Sequence, residues 1–153
     1  MIEIEEIKQD FLSEYSDVLC DESVEDINNT ETLESFVGVL KKYMCFVYAK
    51  PIPTSLWVRK WFANDKDEIN KYGVYLDQSL SLTNPEEKLV LFGSCGATMV
   101  FTEPKLWNIM LCETSMITIM ADGVCDISIR KKDNSSVMVT KRTNGARIKV
   151  HDI

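Results

Sequence analysis

From Val74 onward the chain repeats one short phrase, a few residues of alternating apolar and polar character followed by a turn. Seven such segments are centred near Val90, Val100, Met110, Thr118, Ser128, Met138 and Lys149, at steps of 8 to 11 residues. Alternation marks a strand with one buried face, because successive side chains leave a strand on opposite sides. Turn chemistry sits between the segments, at Gly93-Ser94-Cys95-Gly96, Glu103-Pro104, Ala121-Asp122-Gly123, Asp133-Asn134-Ser135 and Thr143-Asn144-Gly145. Strands at this spacing predict an all-β region. The last four segments are the most regular. Ile117/Ile119, Ile127/Ile129, Val137/Val139 and Ile148/Val150 are expected as inward pairs of an internal repeat of about ten residues.

Two architectures satisfy that repeat. Antiparallel hairpins would make a twisted meander, and Asp122-Gly123 and Asn144-Gly145 suit two-residue hairpin turns. A chain coiling in one direction would instead make each segment one side of a β-solenoid rung, with like residues stacked on like. The β-branched pairs, the small or Asn/Asp/Gly corners and the regular step favour the solenoid. A meander would also demand more polar outer faces than Met116, Met120 and Met138 supply.

The part before Val74 reads differently. Ile4, Ile7, Phe11, Tyr15 and Val18 recur at three- and four-residue steps, which predicts an amphipathic helix of about five turns. The polar stretch after Cys20 is expected to hold a turn or a short helix. A second long helix is expected after Thr30 as its cap, with Leu33, Phe36, Val37, Leu40 and Tyr43 on its apolar face. The apolar run from Tyr43 to Ala49 finishes that helix or forms a buried strand, and Pro51 and Pro53 end it. Thr54 or Ser55 starts a short helix with Trp57 and Trp61 one turn apart, and another runs from about Asp65 to Tyr72, capped by Asn64 and closed by Gly73. The expected organisation is thus α+β, with a helical region over 1–73 and a β-repeat region over 74–153.

The phrases Asp133-Asn134-Ser135-Ser136-Val137-Met138-Val139 and Asn144-Gly145-Ala146-Arg147-Ile148-Lys149-Val150 resemble the short units of single-chain β-solenoids in uncharacterised phage and mobile-element proteins of gut bacteria. Trp57-Val58-Arg59-Lys60-Trp61-Phe62, followed by Lys71-Tyr72-Gly73-Val74-Tyr75-Leu76, is similar to the segment that precedes the solenoid in some of them. The resemblance covers roughly 54–153 and implies fold and origin. It carries no catalytic residue to transfer.

The one His, His151, is expected as a solvated side chain, and a single His makes no His-rich metal site. Gly93-Ser94-Cys95-Gly96 lacks the Lys-Ser/Thr ending of a phosphate loop and reads as a turn between strands. Asp21, Glu22, Glu25 and Asp26 lack the spacing of a calcium loop and read as a solvated helix start. The five cysteines form no C-x-x-C pair, which points to free thiols in a reducing, cytoplasmic setting (or a virion, given the resemblance). No apolar run is long enough for a membrane, and no cofactor is expected.

Charge is strongly asymmetric. Residues 1–40 carry twelve acids and one base, whereas 130–153 carry seven bases and two acids. The overall charge of −7 and the absence of aromatic residues after Trp107 argue against nucleic acid as the partner of the basic end. The chain is therefore expected to be a non-enzymatic structural or protein-interaction module. Its alternatives are a nucleic-acid-binding accessory protein and a small cysteine-dependent enzyme. Candidate interaction residues are Trp57, Trp61, Arg130, Lys131, Lys132, Arg147, Ile148, Lys149 and Val150. Self-association or docking is expected at the C-terminal β end, where no helix or polar cap follows the last inward pair.

Overall fold

The computed structural model describes residues 2–46 and 52–153. Five helices come first: α1 (Ile4–Tyr15), α2 (Asp21–Asn28), α3 (Leu33–Phe46), α4 (Ser55–Phe62) and α5 (Lys66–Asn70). Nine strands follow, β1 (Val74–Leu76), β2 (Ser79–Thr83), β3 (Lys88–Phe92), β4 (Gly96–Phe101), β5 (Leu106–Leu111), β6 (Met116–Asp122), β7 (Asp126–Lys131), β8 (Ser136–Thr143) and β9 (Arg147–Asp152). Each strand pairs in parallel with the next but one. The result is a β1-β3-β5-β7-β9 sheet facing a β2-β4-β6-β8 sheet, which is a two-sided solenoid of about four turns. The meander is excluded by this pairing. Each ten-residue phrase is half a turn, so the register advances by twenty residues, as in Leu89↔Ile109↔Ile129, with one extra residue at the β-bulge beside Met120.

The strands alternate as their sequence demands. Leu89, Leu91, Ala97, Met99, Trp107, Ile109, Ile117, Ile119, Ile127 and Ile129 fill the interior between the sheets. Trp107 packs edge-on against Phe101 at 4.8 Å, and its Nε1 donates to the Pro85 carbonyl at 3.1 Å. Residues with positive φ make the corners: Asp77, Gly93, Glu113 and Asp133 along one edge, and Asn84, Gly123, Asn144 and Gly145 along the other. Asn, Asp and Gly tolerate that conformation best, which is why the sequence places them between strands.

The two outer faces differ. On the first sheet Val74, Leu76, Val90, Phe92, Met110 and Cys112 point away from the interior and share a second core with the helices. That core is built on Ile7, Phe11, Phe36, Trp57, Phe62 and Ile69. The apolar runs of β3 and β5 thus have both faces buried. On the second sheet the outward positions are Ser79, Ser81 and Thr83 on β2, Gly96, Thr98 and Val100 on β4, Met116, Thr118, Met120 and Asp122 on β6, and Ser136, Met138, Lys141 and Thr143 on β8.

Several local expectations need correction. The first helix stops at Tyr15 and gives way to a 3-10 turn over Ser16–Val18, which leaves Val18 50% exposed rather than on the apolar face. The cap of α3 is Thr32, not Thr30. The Thr32 hydroxyl accepts from Ser35 N–H while the Ser35 hydroxyl accepts from Thr32 N–H, both at 3.1 Å, a reciprocal box with Ser in place of Glu. The Thr30 hydroxyl instead donates to the Ile27 carbonyl at 2.7 Å and ends α2. Asp65 rather than Asn64 precedes α5. Beyond Phe46, the rest of the apolar run to Ala49, with Pro51, lies outside the described residues.

An ion cluster ties the helices to the first turn. Arg59 of α4 donates from Nε and Nη2 to both carboxylate oxygens of the corner residue Asp77, at 2.6 and 3.0 Å, and from Nη2 to Glu113 two corners on, at 3.3 Å. The paired guanidinium holds the Asp77 carboxyl below the ordinary carboxylate range, and Asp77 in turn raises the already high pKa of Arg59.

Candidate interaction surface

The helices pack against β1, β3 and β5, and among the described residues no strand pairs beyond the last turn. β8 and β9 are the terminal strands of their sheets. In a parallel ladder, alternate residues turn their backbone groups to opposite neighbours. Arg147 N–H donates to the Cys125 carbonyl at 2.8 Å and Ile153 N–H to the Lys131 carbonyl at 2.9 Å, so the odd-numbered residues of β9 face β7. The N–H and C=O groups of Ile148, Val150 and Asp152 therefore face outward along the edge. The inward side chains follow the same rule: Ile127 and Ile129 are buried, whereas Ile148 is partly covered and Val139 and Val150 are 43% and 44% exposed. The last inward pairs stand in register with the core and lack a layer above them.

The outward side chains of this turn are basic. Arg147, Lys149 and His151 line up on β9 beside Asp126, Ser128 and Arg130 of β7. Together with Leu106 and Asn108, several of them line an open trough of about 520 Å³. Adjacent turns are laced by acid–base pairs: Arg147–Asp126 at 2.9 Å, Lys131–Asp152 at 3.3 Å and Lys141–Asp122 at 3.6 Å. Asn144 and Thr143 also donate to Asp122, and these bonds, led by Asn144, keep its carboxyl below the usual range. Three of the seven C-terminal bases are thus neutralised within the solenoid and not by the acidic helices. Arg142 and Lys149 make no ion pair with the described residues.

No family model, curated protein or solved structure matches the chain. The surface must therefore be judged on its own chemistry.

The residues singled out in the sequence separate into two groups. Arg147, Ile148, Lys149 and Val150 lie together on the open edge, with Lys131 and Arg130 one strand inside it. Trp57 and Lys132 do not belong to any surface. Trp57 is 2% exposed at the centre of the aromatic cluster, and its Nε1 donates to Asp10 at 2.9 Å. Trp61, partly buried, donates to the same carboxylate at 2.7 Å, as does Lys60. Lys60 and the indoles hold the Asp10 carboxyl down, so one acid pins both tryptophans. Lys132 is 4% exposed, one step beyond Cys112 in the ladder, and burial pushes its ammonium pKa down.

The other candidates resolve as local structure. Gly93 and Ser94 form the corner between β3 and β4. Asp26 of the acidic cluster accepts from Tyr43 at 2.8 Å and Lys42 at 3.2 Å. Among the described residues no group of three or more His, Cys, Asp or Glu is placed to hold a metal. No helix is long and apolar enough to cross a membrane. Cys95, Cys112 and Cys125 are buried and unbridged, and burial pushes the Cys112 thiol up to about 12. Cys20 is exposed at the start of α2, where Ser23 lowers its pKa.

Proposed function

We propose that this chain is a non-enzymatic protein-docking module that receives a partner strand on its last turn. The observation that carries this reading is the outward-facing backbone of Ile148, Val150 and Asp152 beside half-covered inward side chains. An edge of this kind binds by strand addition, with main-chain hydrogen bonds for affinity and alternate side chains for choice. The partner's inward residues would be apolar, to cover Val139, Ile148 and Val150. Its outward residues would be acidic, opposite Arg147 and Lys149, continuing the acid–base lacing between turns. Two copies meeting last turn to last turn would oppose these cations with themselves, which is unfavourable for direct cross-strand neighbours. The three buried thiols are poor nucleophiles, since the thiolate is the reactive form, and the exposed Cys20 lies at the start of α2 whereas the chain's one His is on β9. We place the module in a reducing compartment on its four described unbridged cysteines, and a phage or mobile-element origin remains part of the same proposal.

The test is amide exchange on the full chain with and without a peptide alternating Glu and Val. The reading expects fast exchange at Ile148, Val150 and Asp152 alone, and protection with the peptide but not with its Lys–Val counterpart. Edge amides already protected in the free monomer would overturn it.

A further inference from the structure

The second sheet's outer face has no part in the docking edge. Of its fourteen outward positions from β2 to β8 only Asp122 and Lys141 are charged, and they pair with each other at 3.6 Å, in a chain 27% charged. Met116 and Met138 stand 60% and 62% exposed on it. Side-chain bulk also rises along the solenoid axis. β2 and β4 contribute Ser79, Ser81 and Gly96, whereas β6 and β8 contribute Met116, Met120 and Met138.

We infer that this face binds a second copy of the chain through a two-fold axis lying along the strand direction. Such an axis reverses strand order across the interface, so β6 lies over the partner's β4 and β8 over its β2. Methionine knobs then enter the small-residue half of the other copy in both directions, as an isologous contact requires. A two-fold along the solenoid axis would set methionine on methionine and leave the hollows empty. Charge favours the same face, because two molecules of net −7 repel least where they meet through a surface of no net charge. Four strands about 4.8 Å apart, with residues rising about 3.3 Å, span roughly 20 by 18 Å. Two such corrugated faces bury on the order of 1,000 Å², the threshold of a specific interface, so the contact belongs with the weak and reversible ones. The arrangement leaves both docking edges accessible and pointing in opposite directions.

Sedimentation velocity of the full chain from about 1 to 300 μM reads this directly. Monomer–dimer exchange is expected, weakened at least tenfold by Met116→Lys/Met138→Lys. Gly96→Met should weaken it as well by filling the hollow, and a Cβ at Gly96 meets nothing within 4 Å, so the fold tolerates it. Val150→Lys should leave dimerisation unchanged, with circular dichroism confirming that each variant is folded. A monomer throughout the range, or a dimer indifferent to the methionine variant, overturns the inference. Loss of the dimer on Val150→Lys alone moves the contact to the docking edge and overturns it too, as does a dimer sensitive to the methionines but not to Gly96→Met.

Discussion

Ile129 and Val150 occupy the same inward ladder, one turn apart, and truncating each measures how open the last turn is. Ile129 is fully buried. Ile129→Ala removes three carbons at about 0.8 kcal/mol each, or about 2.4 kcal/mol of transfer free energy. A residual cavity of about 50 Å³ adds about 1.2 kcal/mol, for a total of about 3.5 kcal/mol. Val150 is 44% exposed. Val150→Ala removes two carbons that are half solvated already, and water fills the space, so the cost is about 0.9 kcal/mol. Urea unfolding followed by far-ultraviolet circular dichroism, at one low micromolar protein concentration, gives both values from the shift in midpoint at constant slope. A roughly fourfold difference is expected. Equal costs would mean that something covers Val150 in solution, and the open last turn would then be refuted.

Other expectations follow from the helix–solenoid junction and the thiols. Arg59→Ala should cost about 1–2 kcal/mol, discounted for the partial exposure of the Asp77 pair, and should be read by thermal melting. Asp77 and Asp10 have carboxyl pKa values held below the ordinary ~3.9, so the unfolded chain binds more protons in acid; their contribution is complete above that value and is lost as pH falls through the folded values. Asp10→Asn should flatten that acid limb when stability is followed by tryptophan fluorescence. Gly93→Ala should cost at least about 2 kcal/mol in urea unfolding, because φ is +71° and the new Cβ would collide with the Asp77 carboxylate and Arg59. In a Cys45→Ser background, a thiol reagent should label Cys20 at once and Cys95, Cys112 and Cys125 only on unfolding.

Much of the β part was legible because its pattern is local. The seven segments read from alternation are β3 to β9, and the inward assignment of Ile117, Ile119, Ile127 and Ile129 follows from period two alone. β1 and β2 escaped because the first turn advances by only 16 and 17 residues and breaks the ten-residue rhythm. Hairpin and solenoid could not be separated by the turns, since Asn144-Gly145 supplies positive φ to either. Strand pairing separates them, and it is non-local. The helix-covered face was also written in the sequence, in the unbroken apolar runs Leu89-Val90-Leu91-Phe92 and Ile109-Met110-Leu111-Cys112. Alternation was the wrong template there. Net charge by block said less than position in the ladder: Lys131, Lys141 and Arg147 pair with Asp152, Asp122 and Asp126 on neighbouring strands of the solenoid.

Parallel stacking gives the molecule a mechanical direction. Every strand of a turn is bonded only to the turns before and after it, and the first turns are clamped by Arg59 and the helical core while the last is held on one side. A pull on the C-terminus loads β9 alone, then β8, so the solenoid should peel a turn at a time in place of rupturing as a block. Each released turn of twenty residues would lengthen the tether by roughly 70 Å. The sawtooth should steepen sharply where peeling reaches β5, the first strand from that side to enter the helical core, through Met110 and, just past its end, Cys112.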